Sequence, residues 1–242
     1  MRILIANDDG IYSPGLAALA EVASTFGEVR LVAPDVEQSS MGHAITHSRP
    51  LTVRRTSLAG FDAWRVNGTP ADCVALGAAL WEGVDVVLSG INLGPNLGNS
   101  MWHSGTLAAA KQAALLGLRG IALSTSISDG EPRFEALSPF VARVLEVLLP
   151  ARELTLVNVN LPEKPRGLRW TCQSVRHYDG KVVPGRDPMG REHQWITVIP
   201  IEGTEEGTDR RAVADGFVSI TPLRLDLTDH EALAAAMARH PL

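Results

Sequence analysis

The stretch that decides the fold is Arg2-Ile3-Leu4-Ile5-Ala6, followed at once by Asn7-Asp8-Asp9-Gly10. Four consecutive apolar residues in a short run indicate a strand that is buried on both faces. The polar turn ends that strand, and Pro14-Gly15 then leads into an amphipathic helical pattern over 16–23. A buried strand followed by a helix is the first half of a β-α-β unit.

The same alternation continues through the first two-thirds of the chain. Further buried strands are predicted over 29–33, 84–88, 120–124 and 154–159, and further helices over 71–80, 104–116 and 134–149. Nearly continuous apolar strands separated by helices are typical of a parallel sheet covered on both faces. The pattern therefore predicts an α/β fold with a Rossmann-like, mostly parallel sheet.

Two regions break this alternation. Residues 51–66 alternate apolar and polar side chains without an intervening helix, which indicates a β-hairpin. From 166 onward, glycines and prolines separate short strand-like pieces, a late strand is predicted over 218–223, and Thr228 begins a capping box for a final helix. We divide the chain into an α/β core, 1–165, and a segment of extended β arms, late strand and C-terminal helix, 166–242, for subunit association.

Composition narrows the class of protein. The chain has 242 residues, 45% of them apolar, and a formal net charge of −5, which argues against a nucleic-acid polymer as partner. Its two cysteines lack a CxxC spacing, so a disulfide framework is not expected. We find neither a run of about 18 apolar residues nor the pattern of a signal peptide. These features predict a cytoplasmic globular protein without a membrane partner.

Ligands of an open parallel sheet bind at the carboxyl ends of its strands, and the first loop there carries Asp8 and Asp9. Adjacent carboxylates at a strand end are costly unless a positive charge lies near them, and a divalent cation would supply it. A plain Asp-Gly turn, with one Asp capping the next helix, is the alternative.

The second loop, 37–43, contains Ser39, Ser40 and Gly42, whose hydroxyls and N–H groups suit an anion or a metal. A solvated surface loop is its simpler interpretation. The third, 89–98, places Asn92 and Asn96 among glycines, and it has neither a GxGxxG nor a P-loop pattern. Such a restrained loop with repeated amide oxygens favours a functional role.

The fourth loop, Ser104-Gly105-Thr106, begins a helix, where free N–H groups and the helix dipole favour an anion. Simple helix capping by Ser104 or Thr106 is compatible with that role. Together the four loops offer oxygen ligands, which suit Mg²⁺ or Mn²⁺ better than zinc. The histidines, including His43, His47 and His103, show no zinc-ligand spacing, so surface or secondary roles are expected.

Six blocks of the sequence stand out in chain order: Asn7-Asp8-Asp9-Gly10-Ile11, Ala33-Pro34-Asp35 with Ser39, 68–74 (GTPADCV), 89–92 (SGIN) with Gly94 and Asn96, 104–106 (SGT) and 216–223 (GFVSITPL). In this order they resemble the SurE family, the stationary-phase survival proteins that act as 5′/3′-nucleotidases. The blocks cover nearly the whole chain, and their co-occurrence is specific where each block alone would not be. Two departures from the family pattern, Phe217 and Leu107, concern packing.

The resemblance implies one divalent cation per subunit, Mg²⁺ or Mn²⁺, and a homodimer or homotetramer built through the C-terminal arms. It implies hydrolysis of nucleoside 5′- and 3′-monophosphates, with some activity on short polyphosphate. The implied metal ligands are Asp8, Asp9, Ser39 and Asn92. The expected phosphate-binding residues are Ser40, Gly42, Asn96, Ser104, Gly105 and Thr106, and the expected catalytic residues are Asp8, Asp9 and Asn96.

Our mechanistic hypothesis is that the metal lowers the pKa of a bound water, which then attacks phosphorus. A covalent aspartyl-phosphate on Asp8 or Asp9 is the less favoured alternative. A nucleotide-binding sensor without catalysis could use the same helix N-terminus, although it would gain nothing from paired carboxylates. A redox or methyl-transfer enzyme is disfavoured by the absence of GxGxxG after the first strand.

Overall fold

The computed structural model describes residues 1–126, 133–175, 179–199 and 203–240. Its strands are β1 (Arg2–Ala6), β2 (Glu28–Pro34), β3 (Val53–Leu58), β4 (Phe61–Val66), β5 (Val86–Leu93), β6 (Arg119–Thr125), β7 (Leu156–Leu161), β8 (Leu168–Trp170), β9 (Asp179–Arg186), β10 (Glu192–Ile199) and β11 (Val218–Pro222). Its helices are α1 (Pro14–Ala23), α2 (Pro70–Leu80), α3 (Gly105–Leu115), α4 (Phe134–Leu148), α5 (Asp209–Ala214) and α6 (His230–Arg239), with a 3-10 turn at Gly98–Trp102.

Within the described residues, nine strands form one sheet in the order β3-β4-β2-β1-β5-β6-β7-β11-β8. The central pairs from β4 to β7 are parallel, whereas β3 pairs antiparallel with β4 and β11 antiparallel with β7. The prediction of a mostly parallel α/β sheet is confirmed.

Strand β1 shows how the sequence builds both layers of the core. Ile3 and Ile5 pack on the face covered by α1 and α4, while Leu4 and Ala6 pack on the face covered by α2 and α3. Each fully buried aliphatic side chain of this kind stabilises the fold by about 1.5–3 kcal/mol. A strand buried on both faces cannot carry charge until it ends, so Asp8 and Asp9 come immediately after it.

The parallel arrangement brings distant loops to one edge of the sheet. β1, β2 and β5 are neighbours and all run in the same direction, so their carboxyl ends lie side by side. The turn after β1, the loop after β2 and the end of β5 therefore meet there, as predicted for the ligand-binding edge.

One predicted element is confirmed and another is not. The predicted hairpin over 51–66 forms β3 and β4, and it also extends the main sheet because β4 pairs with β2. Its turn at Ala59-Gly60 has positive φ at both residues, as a tight hairpin turn requires. The prediction of a loop beginning at Ser89 was wrong. Strand β5 continues to Leu93, because its pairing with β6 resumes at Asn92 after an irregularity.

The strands after residue 165 divide between the main sheet and a separate arm. β8 and β11 join the sheet beyond β7, whereas β9 and β10 form a separate two-stranded arm. The predicted final helix is α6, but its N-cap is Asp229 and not Thr228, because the Asp229 carboxylate accepts the Ala232 N–H at 2.8 Å. In the described ranges, no helix combines the length and apolar character needed to cross a membrane.

Candidate active site

A cavity of about 360 Å³ opens at the carboxyl edge of the sheet. Six of the predicted site residues line it: Asp8, Ser39, Ser40, Asn92, Asn96 and Ser104. The remaining wall residues are Leu93, Gly94, Pro95, Ser100 and His103. The other four predicted residues, Asp9, Gly42, Gly105 and Thr106, are placed next to this wall by contacts described below.

Asp8 is the residue on which the surrounding loops converge. Its side chain is buried, and Thr106 Oγ1 donates a hydrogen bond of 2.6 Å to Asp8 Oδ1. Gly105 packs so closely that a Cβ there would lie 2.8 Å from Asp8 Oδ2. The Asp8 carbonyl also accepts the Gln38 N–H at 2.8 Å, which fixes the loop after β2. The N-terminus of α3 therefore faces this carboxylate directly, where the helix dipole favours negative charge.

Asp9 gives the site its unusual electrostatics. Its Oδ2 accepts a long hydrogen bond of 3.4 Å from the Leu93 N–H. Burial, followed by repulsion from Asp8 and Glu37, raises the pKa of Asp9 to about 6. Burial also raises the pKa of Asp8, even though the Thr106 hydrogen bond acts in the opposite direction. Neither carboxylate forms an ion pair with the described residues.

Two neutral oxygen donors line the same cavity. Asn92 Nδ2 donates to the Gly94 carbonyl at 2.6 Å, which orients the amide and leaves its oxygen for a ligand. Ser39 Oγ donates to Glu37 Oε1 at 2.5 Å, and its lone pairs stay available. Two carboxylates without a counter-charge and two neutral oxygens fit a hard divalent cation.

The described part of the chain contains no group of three or more His, Cys, Asp or Glu side chains arranged to hold a metal. The predicted ligand set has only two such residues, Asp8 and Asp9, and is completed by a hydroxyl and an amide. Its assignment as a metal site stays a prediction.

Asn96 is held by residues that the sequence interpretation missed. Its N–H donates to Asn160 Oδ1 at 2.8 Å, and its carbonyl accepts from Asn158 and Asn160 at 2.8 and 3.1 Å. Its side-chain amide donates to Ser124 Oγ at 2.8 Å and to Thr106 Oγ1 at 3.3 Å. The two asparagines inside the apolar strand β7 could have indicated these supports from the sequence, because buried amides are costly unless they are hydrogen-bonded.

The predicted phosphate-binding residues differ in what they present to the cavity. Ser104 is the N-cap of α3, with Oγ accepting the Leu107 N–H at 3.0 Å, and it lines the cavity. Thr106 is fully buried, with its hydroxyl used by Asp8. The Gly42 N–H donates to the His103 carbonyl at 3.0 Å, which ties loop 37–43 to the turn before α3. Ser40 is exposed in the wall.

His103 and Ser100 are further wall residues that sequence reasoning did not place in the site. His103 was assigned a surface or secondary role because it has no metal-ligand spacing. The position of His103 directly before Ser104 could have indicated from the sequence that it belongs to the site.

These features define a class: an α/β protein whose Rossmann-like sheet presents paired carboxylates, neutral oxygen donors and a helix N-terminus to one cavity. Such a site is suited to holding a cation and an anion together. The chain belongs to the SurE family, because the family model described as "Survival protein SurE" matches residues 3–180.

Individual relatives agree with this assignment. The chain is similar to "5′-nucleotidase SurE 1" of Thermus thermophilus, with 46% identity over 243 residues that cover 97% of this chain and 96% of the relative. It is also 46% identical to "5′-nucleotidase SurE" of Deinococcus radiodurans, covering 94% and 88%. The crystal structure of the SurE protein from Aquifex aeolicus matches with a TM-score of 0.84 and 37% identity over 99% of both chains.

Asp9→Asn is expected to stabilise the metal-free protein at pH 8. A folded-state pKa of about 6, above the ordinary 3.8, means that stability falls as pH rises from about 4 to 6. The full shift corresponds to about 3 kcal/mol, which solvent screening of this partly exposed group reduces to about 1 kcal/mol. Thermal unfolding should show a Tm about 2–4 °C higher. The gain in Tm should be smaller at pH 5. Asp35→Asn, at an exposed aspartate, is the control. A lower Tm of Asp9→Asn at pH 8 would contradict this electrostatic account.

Gly105→Ala is expected to weaken Mn²⁺ binding about tenfold, because the added methyl group would displace the Asp8 carboxylate. Alanine favours a helix by about 1 kcal/mol over glycine, so a loss of affinity cannot be ascribed to helix propensity. Calorimetric titration with Mn²⁺ provides the measurement. Gly167→Ala, whose methyl group would meet the Phe217 ring at an ordinary 3.5 Å, should bind as the wild type. Unchanged affinity in Gly105→Ala would argue against Asp8 as a ligand.

Proposed function

We propose that this protein is a metal-dependent phosphohydrolase that releases phosphate from nucleoside 5′- and 3′-monophosphates. The observation that carries the proposal is the placement of buried Asp8 and half-buried Asp9 next to each other beside the N-terminus of α3. The relatives from Thermus thermophilus and Deinococcus radiodurans are named 5′-nucleotidases, which supports the same substrate class.

The proposed cofactor is one Mg²⁺ or Mn²⁺ per subunit, held by Asp8, Asp9, Ser39 and Asn92. When bound, such a cation supplies Lewis-acid chemistry and makes water a stronger nucleophile near neutral pH. The two carboxylates balance a divalent charge, so an anionic phosphate can still approach. Thr106 keeps the Asp8 carboxylate in place through its 2.6 Å hydrogen bond.

The proposed phosphate-binding residues occupy the other side of the cavity. Ser40 and Ser104 lie in its wall, and the positive end of the α3 dipole favours an anion there. The Asn96 backbone is fixed by Asn160, and its side-chain amide would exchange the long 3.3 Å hydrogen bond to Thr106 Oγ1 for one to a phosphoryl oxygen. Gly42, Gly105 and Thr106 would then act behind these residues by fixing the loops that carry them.

A neighbouring apolar cavity of about 300 Å³ supports a substrate with a bulky organic group. The turn that carries His103 also contributes Met101 and Trp102 to this second cavity, and Lys111 lies near the Trp102 ring at 5.5 Å. An exposed aromatic ring such as that of Trp102 is suited to stacking on a nucleobase. Short polyphosphate lacks a base and would use the first cavity alone.

The competing function is a nucleotide sensor without catalysis. It would use the helix N-terminus to bind phosphate, but burying two carboxylates beside an anion would weaken binding. It predicts stoichiometric nucleotide binding with no release of phosphate.

Assembly into a homodimer or homotetramer through the segment 166–242 is part of the proposal. Large apolar side chains are exposed on the arm, including Val182, Trp195 and Ile196, the last at 81%. Helix α6 has no buried residue among those described, and Leu233 and Met237 are exposed on it. Exposed apolar clusters of this kind are typical of subunit contacts.

The central test is phosphate release from a panel of nucleoside 5′- and 3′-monophosphates and short polyphosphate, with EDTA and then Mg²⁺ or Mn²⁺ added back. Wild-type release should stop with EDTA and return with the metal. Asp8→Asn should lose at least 100-fold in kcat/KM, because a metal ligand and the partner of Thr106 are both altered. Asp35→Asn, an exposed aspartate after β2, serves as the matched control and should keep wild-type activity.

Metal-independent release, or full activity of Asp8→Asn, would contradict the ligand assignment. Tight nucleotide binding without any phosphate release would favour the sensor. A phosphorylated Asp8 or Asp9 trapped on rapid quenching would favour a covalent aspartyl-phosphate mechanism over attack by activated water.

A further inference from the structure

One buried carboxylate, distant along the chain from the residues that line the cavity, holds the turn that carries part of the cavity wall. We propose that Asp209, at the start of α5, is a positioning residue for the site: it clamps the 3-10 turn Gly98–Trp102 to the base of the β9–β10 arm. This inference rests on the proposed phosphohydrolase function, and it assigns a role to a residue that the mechanism above does not use.

The geometry joins three distant parts of the backbone through one side chain. Asp209 is fully buried, its Oδ2 accepts the Gly98 N–H at 2.8 Å, and its Oδ1 accepts the Ser174 N–H at 3.0 Å. Oδ1 also accepts the N–H of Arg210 at 2.7 Å. Gly98 is 111 residues away along the chain, so local structure alone does not require the contact.

A carboxylate makes this clamp stronger than a neutral side chain would. Hydrogen bonds to an ionised acceptor are about twice as strong as neutral ones. Burial raises the pKa of Asp209, while the Gly98, Ser174 and Arg210 N–H groups act against that shift. Because the buried charge is compensated mainly by these N–H groups, moving the turn away from Asp209 would leave the charge poorly solvated.

Direct packing reinforces the same contact. Gly98 has φ of +55°, and a Cβ there would lie 2.7 Å from the Ser174 carbonyl oxygen. Gln173 Nε2 also donates to the Gly98 carbonyl at 3.2 Å. The turn and residues 173–174 are therefore in backbone contact, and 174 lies shortly before β9 begins at Asp179.

The clamp acts on one side of the cavity only. Asn96 is fixed from β7 by Asn158 and Asn160, whereas Ser100 and His103 follow Gly98 and depend on the turn. Asp8 and Asp9 are held by α3 and Leu93 instead. Loss of the clamp should therefore disturb the part of the wall formed by Ser100 and His103 and leave Asp8 and Asp9 in place.

Asp209→Asn tests this, because asparagine keeps one acceptor oxygen and cannot serve both sides of the clamp. We expect kcat for a nucleoside monophosphate to fall about 10- to 100-fold through misplacement of the wall. KM should change less than about threefold and Mn²⁺ affinity less than about twofold, a split that general loss of structure would not produce. Amide hydrogen exchange of 98–103 should become faster.

Asp215→Asn is the matched control, since Asp215 caps the same short helix and its ion pairs with Arg169 and Arg211 are on the surface. It should retain wild-type kcat and exchange. Gly98→Ala disrupts the same contact at the 3-10 turn, and it should reproduce the kinetic pattern of Asp209→Asn. If Asp209→Asn does not fold, Gly98→Ala is judged by the same criteria.

If the kcat of Asp209→Asn stays within twofold of that of an active wild type, the proposal is overturned. An equal loss of Mn²⁺ affinity and kcat in Asp209→Asn would overturn it as well. If the wild type itself releases no phosphate, the proposed function fails separately. Hydrogen exchange then tests the clamp by itself. Faster exchange of 98–103 in Asp209→Asn but not in Asp215→Asn supports the clamp, and unchanged exchange refutes it.

Discussion

The hydrogen bond from the Thr106 hydroxyl to Asp8 joins the two elements on which the site depends. Asp8 and Asp9 follow a strand whose apolar residues are buried on both faces, so their charges lie at the limit of the core. Burial, followed by repulsion from neighbouring carboxylates, raises both pKa values, and the N-terminus of α3 supplies only a partial positive charge. A bound cation would relieve this cost, which makes the acidic pair the central constraint of the proposed chemistry.

The sheet turns this local constraint into a cavity. Parallel β1, β2 and β5 end at one edge, and each contributes a different donor: carboxylates after β1, hydroxyls after β2 and an amide at the end of β5. The phosphate side is built separately, from the segment between Asn96 and Ser104, and is held by β7 and α5. The proposed metal side and phosphate side thus have different main supports, and they are joined where Asn96 donates to Thr106 and where Gly42 donates to the His103 carbonyl.

Much of this arrangement was predictable because it follows from local patterns. The apolar run Ile3–Ala6 indicated the buried strand, and the polar turn after it placed Asp8 and Asp9 at the ligand-binding edge. The start of α3 at Gly105 followed from the Ser104 cap. The continuation of β5 to Leu93 was not predictable in this way, since Ser89 and Gly90 resemble a loop until β6 pairs beyond them. The supports from Asn160 and Asp209 span 64 and 111 residues, and no periodicity encodes such contacts.

The most direct test of the central claim is a crystal structure of the protein grown with Mn²⁺, with anomalous data collected near the manganese edge. The account predicts one strong peak per subunit, about 2.0–2.4 Å from side-chain oxygens of Asp8, Asp9, Ser39 and Asn92. A peak held by other residues, or an ordered site at millimolar Mn²⁺ with no peak between Asp8 and Asp9, would contradict it.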